Sequence, residues 1–319
     1  DTMPGTGYLP LEDPDAGPVR IARSACFLAK INKTGQECPE PRVLARHADT
    51  YLIRARWFME MEQNEKALAD VDTALVIDPN DAAAHHLAGR LALTLFDIER
   101  ADKELVAARR LKPNDPQIET SYAIVLMGRN ANQEAKEILS NVISKNPRYL
   151  YPRLQRAQVN LHQAECCGGH YWLLALADYD VLIYRAGPKA PLLEARAHGL
   201  LALGHPDKAA ADLTAALKMA PNRSDLIRDR AKAYAMEGKY EDALGEFDAL
   251  LEVQGGAPVH PMFGNNRAKV LMDRANVLFE MHRYQDATKD AVASVTAGGK
   301  PAVLRAQIML RRHGFSDLP

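Results

Sequence analysis

The chain has 319 residues, of which 47% are hydrophobic and 25% charged, and its formal net charge is -1. That composition supports a substantial buried core and argues against a dedicated nucleic-acid binder, which would carry a basic excess. No apolar run reaches the roughly 20 residues of a membrane-spanning helix.

Residues 1–18 contain Pro4, Gly5, Gly7, Pro10, Pro14, Gly17 and Pro18, which disfavours helix and strand and predicts an extended arm. From Val19 to about Ile31 the pattern turns helical, and the polar loop after it carries Cys38. Cys26 and Cys38 flank that turn, and a disulfide between them is expected to pin the first helix; the alternative is Cys26 as a small core residue. The four cysteines fit either two disulfides in an oxidising compartment or reduced thiols in the cytosol. With the arm and a first residue other than Met, the paired cysteines favour an exported, periplasmic protein over a cytoplasmic one.

From Ala48 onward one unit recurs, and Ala190–Asn222 is its best-preserved copy. Leu192, Leu193, Ala197, Leu200, Leu201 and Leu203 fall at helical spacing. Gly204-His205-Pro206 interrupts the chain, Asp207 opens a second helix through Ala209, Leu213, Ala216 and Leu217, and Pro221 ends it. Neither helix can bury its apolar face alone, so copies must stack. Pro79, Pro113 and Pro147 set a spacing of 34 residues. A small residue sits in the middle of each first helix (Ala55, Gly89, Ala123, Ala157, Ala197, Ala231, Ala275) and another early in each second helix (Ala67, Ala101, Ala135, Ala175, Ala209, Ala243, Ala287). These allow close helix approach, and large residues four positions later (Val71, Leu105, Leu139, Tyr179, Leu213, Phe247) fill the space between pairs.

A helix-turn-helix unit with this register resembles the tetratricopeptide repeat family. The resemblance implies an all-α, right-handed superhelical α-solenoid of seven units: 48–81, 82–115, 116–149, 150–189, 190–223, 224–257 and 268–299. Residues 1–47 form an N-terminal arm and helix, 48–299 the repeats, and 300–319 a C-terminal capping helix and tail with basic outer residues. The family's early aromatic is mostly missing, with Tyr51 nearest to it, and its turn glycine survives only as Gly204 and Gly238. In the fourth unit LHQAECCGGHYW is expected to lengthen the turn by about six residues, and VQGGAPVHPMFGNN inserts about ten before the seventh.

No phosphate-cradling loop, HExxH pair or nucleophile elbow is present. The sequence therefore predicts a protein that is not an enzyme and needs no cofactor. Acidic runs such as EKALADVD and EDALGEFD read as solvated helix faces. Asn32-Lys33-Thr34 and Asn222-Arg223-Ser224 match the glycan acceptor pattern, too short to carry an assignment. His162, Cys166, Cys167 and His170 are the one cluster of metal-ligand residue types, although their spacing matches no zinc motif.

The resemblance further implies that the fifth, ninth and twelfth positions of each unit line a concave groove, and helical geometry places them on one stripe. These are Leu52, Arg56 and Met59; His86, Arg90 and Leu93; Thr120, Ile124 and Met127; and Leu154, Gln158 and Leu161. The later units supply Glu194, His198 and Leu201; Arg228, Lys232 and Ala235; and Met272, Asn276 and Phe279. An apolar stripe bearing Arg56, Arg90, Arg228 and Lys232 suits a partner protein or peptide segment with acidic groups. The predicted function is a protein-protein interaction scaffold; the alternative is a metal- or redox-handling module built on the 162–170 loop. Asn276 lacks the companions of a terminal-carboxylate clamp.

Overall fold

A computed structural model of the chain describes residues 48–253, 266–298 and 300–312. They form fifteen α-helices and, among the described residues, no strand. The arm, the segment with Cys26 and Cys38, and the insertion at 254–265 lie outside the described residues. The chain divides into two compact units, Asp1–Val159 and Asn160–Pro319.

In the first unit α1 (Ala48–Glu60) pairs with α2 (Asn64–Ile77), α3 (Ala82–Thr94) with α4 (Ile98–Leu111), and α5 (Pro116–Gly128) with α6 (Asn132–Lys145). Asp81, Asp97 and Asp115 start α3, α4 and α5 by accepting hydrogen bonds from backbone amides of the first turn. The small positions Ala55, Ala67, Ala101, Ala123 and Ala135 are fully buried, as are Val71, Leu105 and Leu139. At Gly89 a Cβ would lie 2.5 Å from Leu105 Cγ, so this pair of helices needs glycine where the other units hold Ala. The first part of α7 (Tyr151–Cys167) closes the unit, with Val159 packed against Ala123, Leu126, Ala135 and Leu139.

The second unit takes the rest of α7, then α8 (Gly169–Ala186), α9 (Ala190–Ala202), α10 (Pro206–Met219), α11 (Ser224–Met236), α12 (Tyr240–Val253), α13 (Asn266–Glu280), α14 (Tyr284–Gly298) and α15 (Lys300–Arg312). Helices α9–α10, α11–α12 and α13–α14 are the hairpins, and α15 packs on α13 and α14. Ala197, Ala209, Ala231, Ala243 and Ala275 are fully buried, and Leu213 and Phe247 fill the gaps between pairs. Helix α15 caps the core through Ala302 and Ala306, but Val303, Leu304 and Ile308 are exposed, so its outer side is not purely basic as the sequence suggests.

The extra residues of the fourth unit do not lengthen its turn. They extend the helices: α7 has 17 residues and α8 has 18, where the regular hairpins have 13 and 14. The break shrinks to Gly168, whose φ of 103° is open to glycine and hostile to other residues.

Elsewhere the hairpin turns share one geometry. Glu62, Phe96, Asn130, Gly204, Gly238 and His282, each fifteenth in its unit, have φ between 57° and 78°. The amide of the following residue donates to the carbonyl five residues back, as in Gln63 to Phe58 (2.9 Å) and Lys239 to Tyr234 (2.9 Å). This is a left-handed helix stop that glycine fits best, and four of the six turns adopt it without glycine.

The acidic runs are not uniformly solvated. Asp70, within EKALADVD, is 5% exposed and takes a bidentate contact from Arg54 at 2.6 and 2.5 Å. Arg196 grips Asp212 (2.7 Å) and Asp180 (2.8 Å), Arg230 reaches Glu246 of EDALGEFD (2.8 Å), and Arg274 holds Asp290 (2.6 Å) and Asp248. Each arginine is seventh in its unit and its main partner lies sixteen residues on, so one ionic staple recurs between first and second helices. The second and third repeats have Ala88 and Tyr122 at the seventh position, with His85 on Glu104 (2.7 Å) and Arg109 on Glu119 (2.9 Å) in place of the staple.

Candidate functional site

In the first unit the expected stripe separates into core and accessible residues. Leu52 is 6% exposed and belongs to the cluster around Ala55 and Val71, so it is a packing residue rather than a ligand contact. Thr120 is also buried, its hydroxyl donating to Pro116 O at 2.5 Å. Met59, Leu93 and Met127 are half-buried at the edges of core clusters. Ile124 and Leu154 are half-buried as well, and Gln158 is exposed.

The polar part of this face is His86, Arg56 and Arg90. His86 shares a hydrogen bond between Nε2 and Ser121 Oγ at 2.9 Å, tying α3 to α5. Burial lowers its pKa to about 4, and the charges of Arg90 and Arg56 push the same way against the weaker pull of Asp115. The imidazole is therefore neutral near pH 7. Asp115 itself is occupied: burial opposes its charge, but Lys112 at 2.7 Å and the backbone amides of Ile118 and Gln117 hold its carboxyl below the usual range. Among the described residues neither the Arg56 nor the Arg90 guanidinium has a carboxylate or hydrogen-bond partner.

The same positions of the second unit form a charge network. Arg223 joins Glu194 (2.9 Å) to Asp225, and His198 Nε2 meets Asp229 Oδ2 at 2.9 Å. Lys232 Nζ lies 3.1 Å from Asp229 and 3.5 Å from Asp273; Arg228 stands 3.6 Å from each of those carboxylates. Burial works against ionising Asp229, yet the His198 hydrogen bond and the nearby cations hold its carboxyl well below the usual range. In turn the Asp229 hydrogen bond raises the pKa of His198. At Asp273 burial prevails over Lys232 and Arg228 and pushes the carboxyl up.

Arg228 and Lys232, expected from sequence to face an acidic ligand, thus face carboxylates of the chain itself. Met272 is 2% exposed and packs with Ala275 and Ala306, so it too is core. Asn276 donates to its own helix at Met272 O (3.0 Å), and Phe279 meets Tyr284 edge-on with centroids 4.9 Å apart. Sequence reasoning missed Arg223, Asp229, Asp273 and Ser121. The last three share a signal, the sixth position of the unit, which meets the fifth or ninth position of the preceding first helix.

His162 and His170 are exposed on α7 and α8, and the thiols of Cys166 and Cys167 lie outside what the structure describes. Among the described residues no group of three or more His, Cys, Asp or Glu side chains converges to hold a metal ion. No described helix is long and apolar enough to cross a membrane.

Stacked helical hairpins with a recurrent face on their first helices define an all-α repeat array. Residues 200–260 match the tetratricopeptide repeat family model, and the helical hairpins on either side of them repeat the same register. Its fold is similar to that of the C-terminal part of a repeat-containing protein from Cytophaga hutchinsonii, with 13% identity, a TM-score of 0.58 and coverage of 79% of this chain and 98% of that one. A tetratricopeptide repeat protein from Parabacteroides merdae gives 13% identity and a TM-score of 0.54 over 83% of this chain and 98% of its own. A fragment of MamA from Desulfovibrio magneticus gives 16% identity and a TM-score of 0.50 over 56% and 97%. These identities speak to the fold alone. A search of curated proteins finds no match.

Proposed function

We propose that this protein is a non-catalytic interaction scaffold whose first unit holds an acidic peptide segment, free or within a partner protein, on the first-helix face. The observation that carries this reading is the pair Arg56 and Arg90, which lack a carboxylate partner among the described residues. They stand near a histidine that burial and their own charge keep neutral. Guanidinium groups offer carboxylates a planar, bidentate fork. The half-buried edges of Met59, Leu93, Ile124 and Met127 add apolar surface for a neighbouring ligand side chain. No observation favours the metal or redox alternative.

Affinity capture from the native host tests the reading. The unaltered chain and an Arg56→Glu, Arg90→Glu variant are compared, with circular dichroism confirming the helical array in both. The variant is expected to lose its main captured protein, and recovery of that protein at an unchanged level removes this face as the binding surface.

A further inference from the structure

The second unit presents two cations at the positions that this reading assigns to ligand recognition, and the reason they are not equivalent lies in Asp273. This inference rests on the acidic-ligand reading above. Asp229 belongs to the same helix as Arg228 and Lys232 and is firmly placed, hydrogen-bonded to His198 at 2.9 Å and to Lys232 at 3.1 Å. Asp273 reaches in from α13, the first helix of the next hairpin, and its contacts are looser. Its carboxylate lies 3.5 Å from Lys232 Nζ and 3.6 Å from Arg228 Nε, beyond ordinary hydrogen-bonding distance.

Arg228 Nε is buried and finds no acceptor among the described residues. A buried donor left unpaired is costly. Two cations, one with an unused donor, are therefore balanced in charge by two carboxylates, of which Asp273 does not satisfy them in geometry. An arriving anion would have to displace that carboxylate, or share the cations with it against repulsion.

We propose that Asp273 is a specificity-determining residue, a built-in competitor that keeps acidic ligands off Arg228 and Lys232 and leaves Arg56 and Arg90 as their place of binding. In the first unit the sixth positions are Ile53, Leu87 and Ser121, none of which carries charge. The competitor is missing there, and among the described residues the two guanidiniums have no carboxylate partner.

Inorganic sulfate titrated into the full chain at pH 7.5, followed at the arginine Nε–H resonances, tests the assignment. In the unaltered protein Arg56 and Arg90 are expected to respond and Arg228 to stay silent. In Asp273→Asn the Arg228 resonance responds too, at sulfate concentrations at least tenfold below the highest at which it stays silent in the unaltered protein. Asp273→Ser, which removes the carboxylate with a smaller side chain, does the same and covers the case in which the Asn variant folds poorly. Arg228 behaving alike with and without the Asp273 carboxylate overturns the competitor while leaving the Arg56–Arg90 reading in place. Silence at Arg56 and Arg90 in every variant overturns that reading and, with it, the directing role of Asp273.

Discussion

In the first unit Arg56 and Arg90 stand near a half-buried, neutral His86; in the second, Arg228 and Lys232 face Asp229 of their own helix and Asp273 of the next repeat. The helical register supplying these residues is the same in both. What differs is the neighbouring sixth position, uncharged at Ile53, Leu87 and Ser121 and acidic at Asp229 and Asp273. A cation on a repeat face is thus a recognition group or a structural one according to a residue on the next repeat. That distinction separates binding from stability, and charge reversal should expose it.

Replacing Arg228 and Lys232 together with Glu leaves the buried Asp229 and the half-buried Asp273 against like charges. Breaking buried pairs in this way costs about 3–5 kcal/mol, so the urea midpoint should fall steeply. The double replacement of Arg56 and Arg90 removes no ion pair among the described residues and should shift stability by no more than about 0.5 kcal/mol. Equal losses in the two variants would mean that the first-unit cations also serve the fold.

Acid should separate the two faces next. His86 has a folded pKa of about 4 against an ordinary 6.5, through burial first and then Arg90 and Arg56. Because the unfolded chain takes up a proton that the folded one refuses, stability is lost as pH falls from 6.5 to 4. The full loss approaches about 3 kcal/mol at 1.36 kcal/mol per unit. His198 has the opposite sign: Asp229 raises its pKa, so its contribution is complete below the ordinary histidine value and is lost as pH rises through the folded one. Solvent at the half-exposed His198 ring screens that effect and keeps it small. Denaturant titrations between pH 4 and 8 should show the acid loss flattened in His86→Asn, and an unchanged slope would show that His86 is not its source.

Much of the fold could be read from the chain because one register governs it. The small residues from Ala55 to Ala287 and the large ones from Val71 to Phe247 are buried where a close-packed hairpin requires them. The fourth unit was harder, since CCGG reads as a loop. Only the folded chain shows that residues on either side continue their helices up to Gly168. The ligand-bearing face was half legible. Periodicity places Arg56, His86, Arg90, Arg228 and Lys232 on one stripe, but it reports a single helix and says nothing of a carboxylate arriving from the next. Depth was misjudged for a related reason: Leu52 and Met272 share that stripe's spacing, and neighbouring helices cover them. The Arg54–Asp70 staple, sixteen residues apart, escaped because no single-helix pattern spans a turn.

The smallest expected effect lies in the turns, where the units again differ. The first unit closes its three hairpins with Glu62, Phe96 and Asn130 in the left-handed region, while the second uses Gly204 and Gly238 and, once, His282. A side chain there costs roughly 1–2 kcal/mol, partly offset by the greater freedom that glycine loses on folding. Phe96 is the sharpest case, with φ 61° and the residue 80% exposed, so that little packing repays the strain. Phe96→Gly should therefore stabilise the protein by about 0.5–1 kcal/mol, and Gly204→Ala should destabilise it by a similar amount. Differential scanning calorimetry reads both as midpoint shifts of about 2–3 °C in opposite directions. Should Phe96→Gly lower the midpoint instead, the ring must contribute contacts that outweigh the backbone, and the turns of the two units would differ in packing rather than in strain.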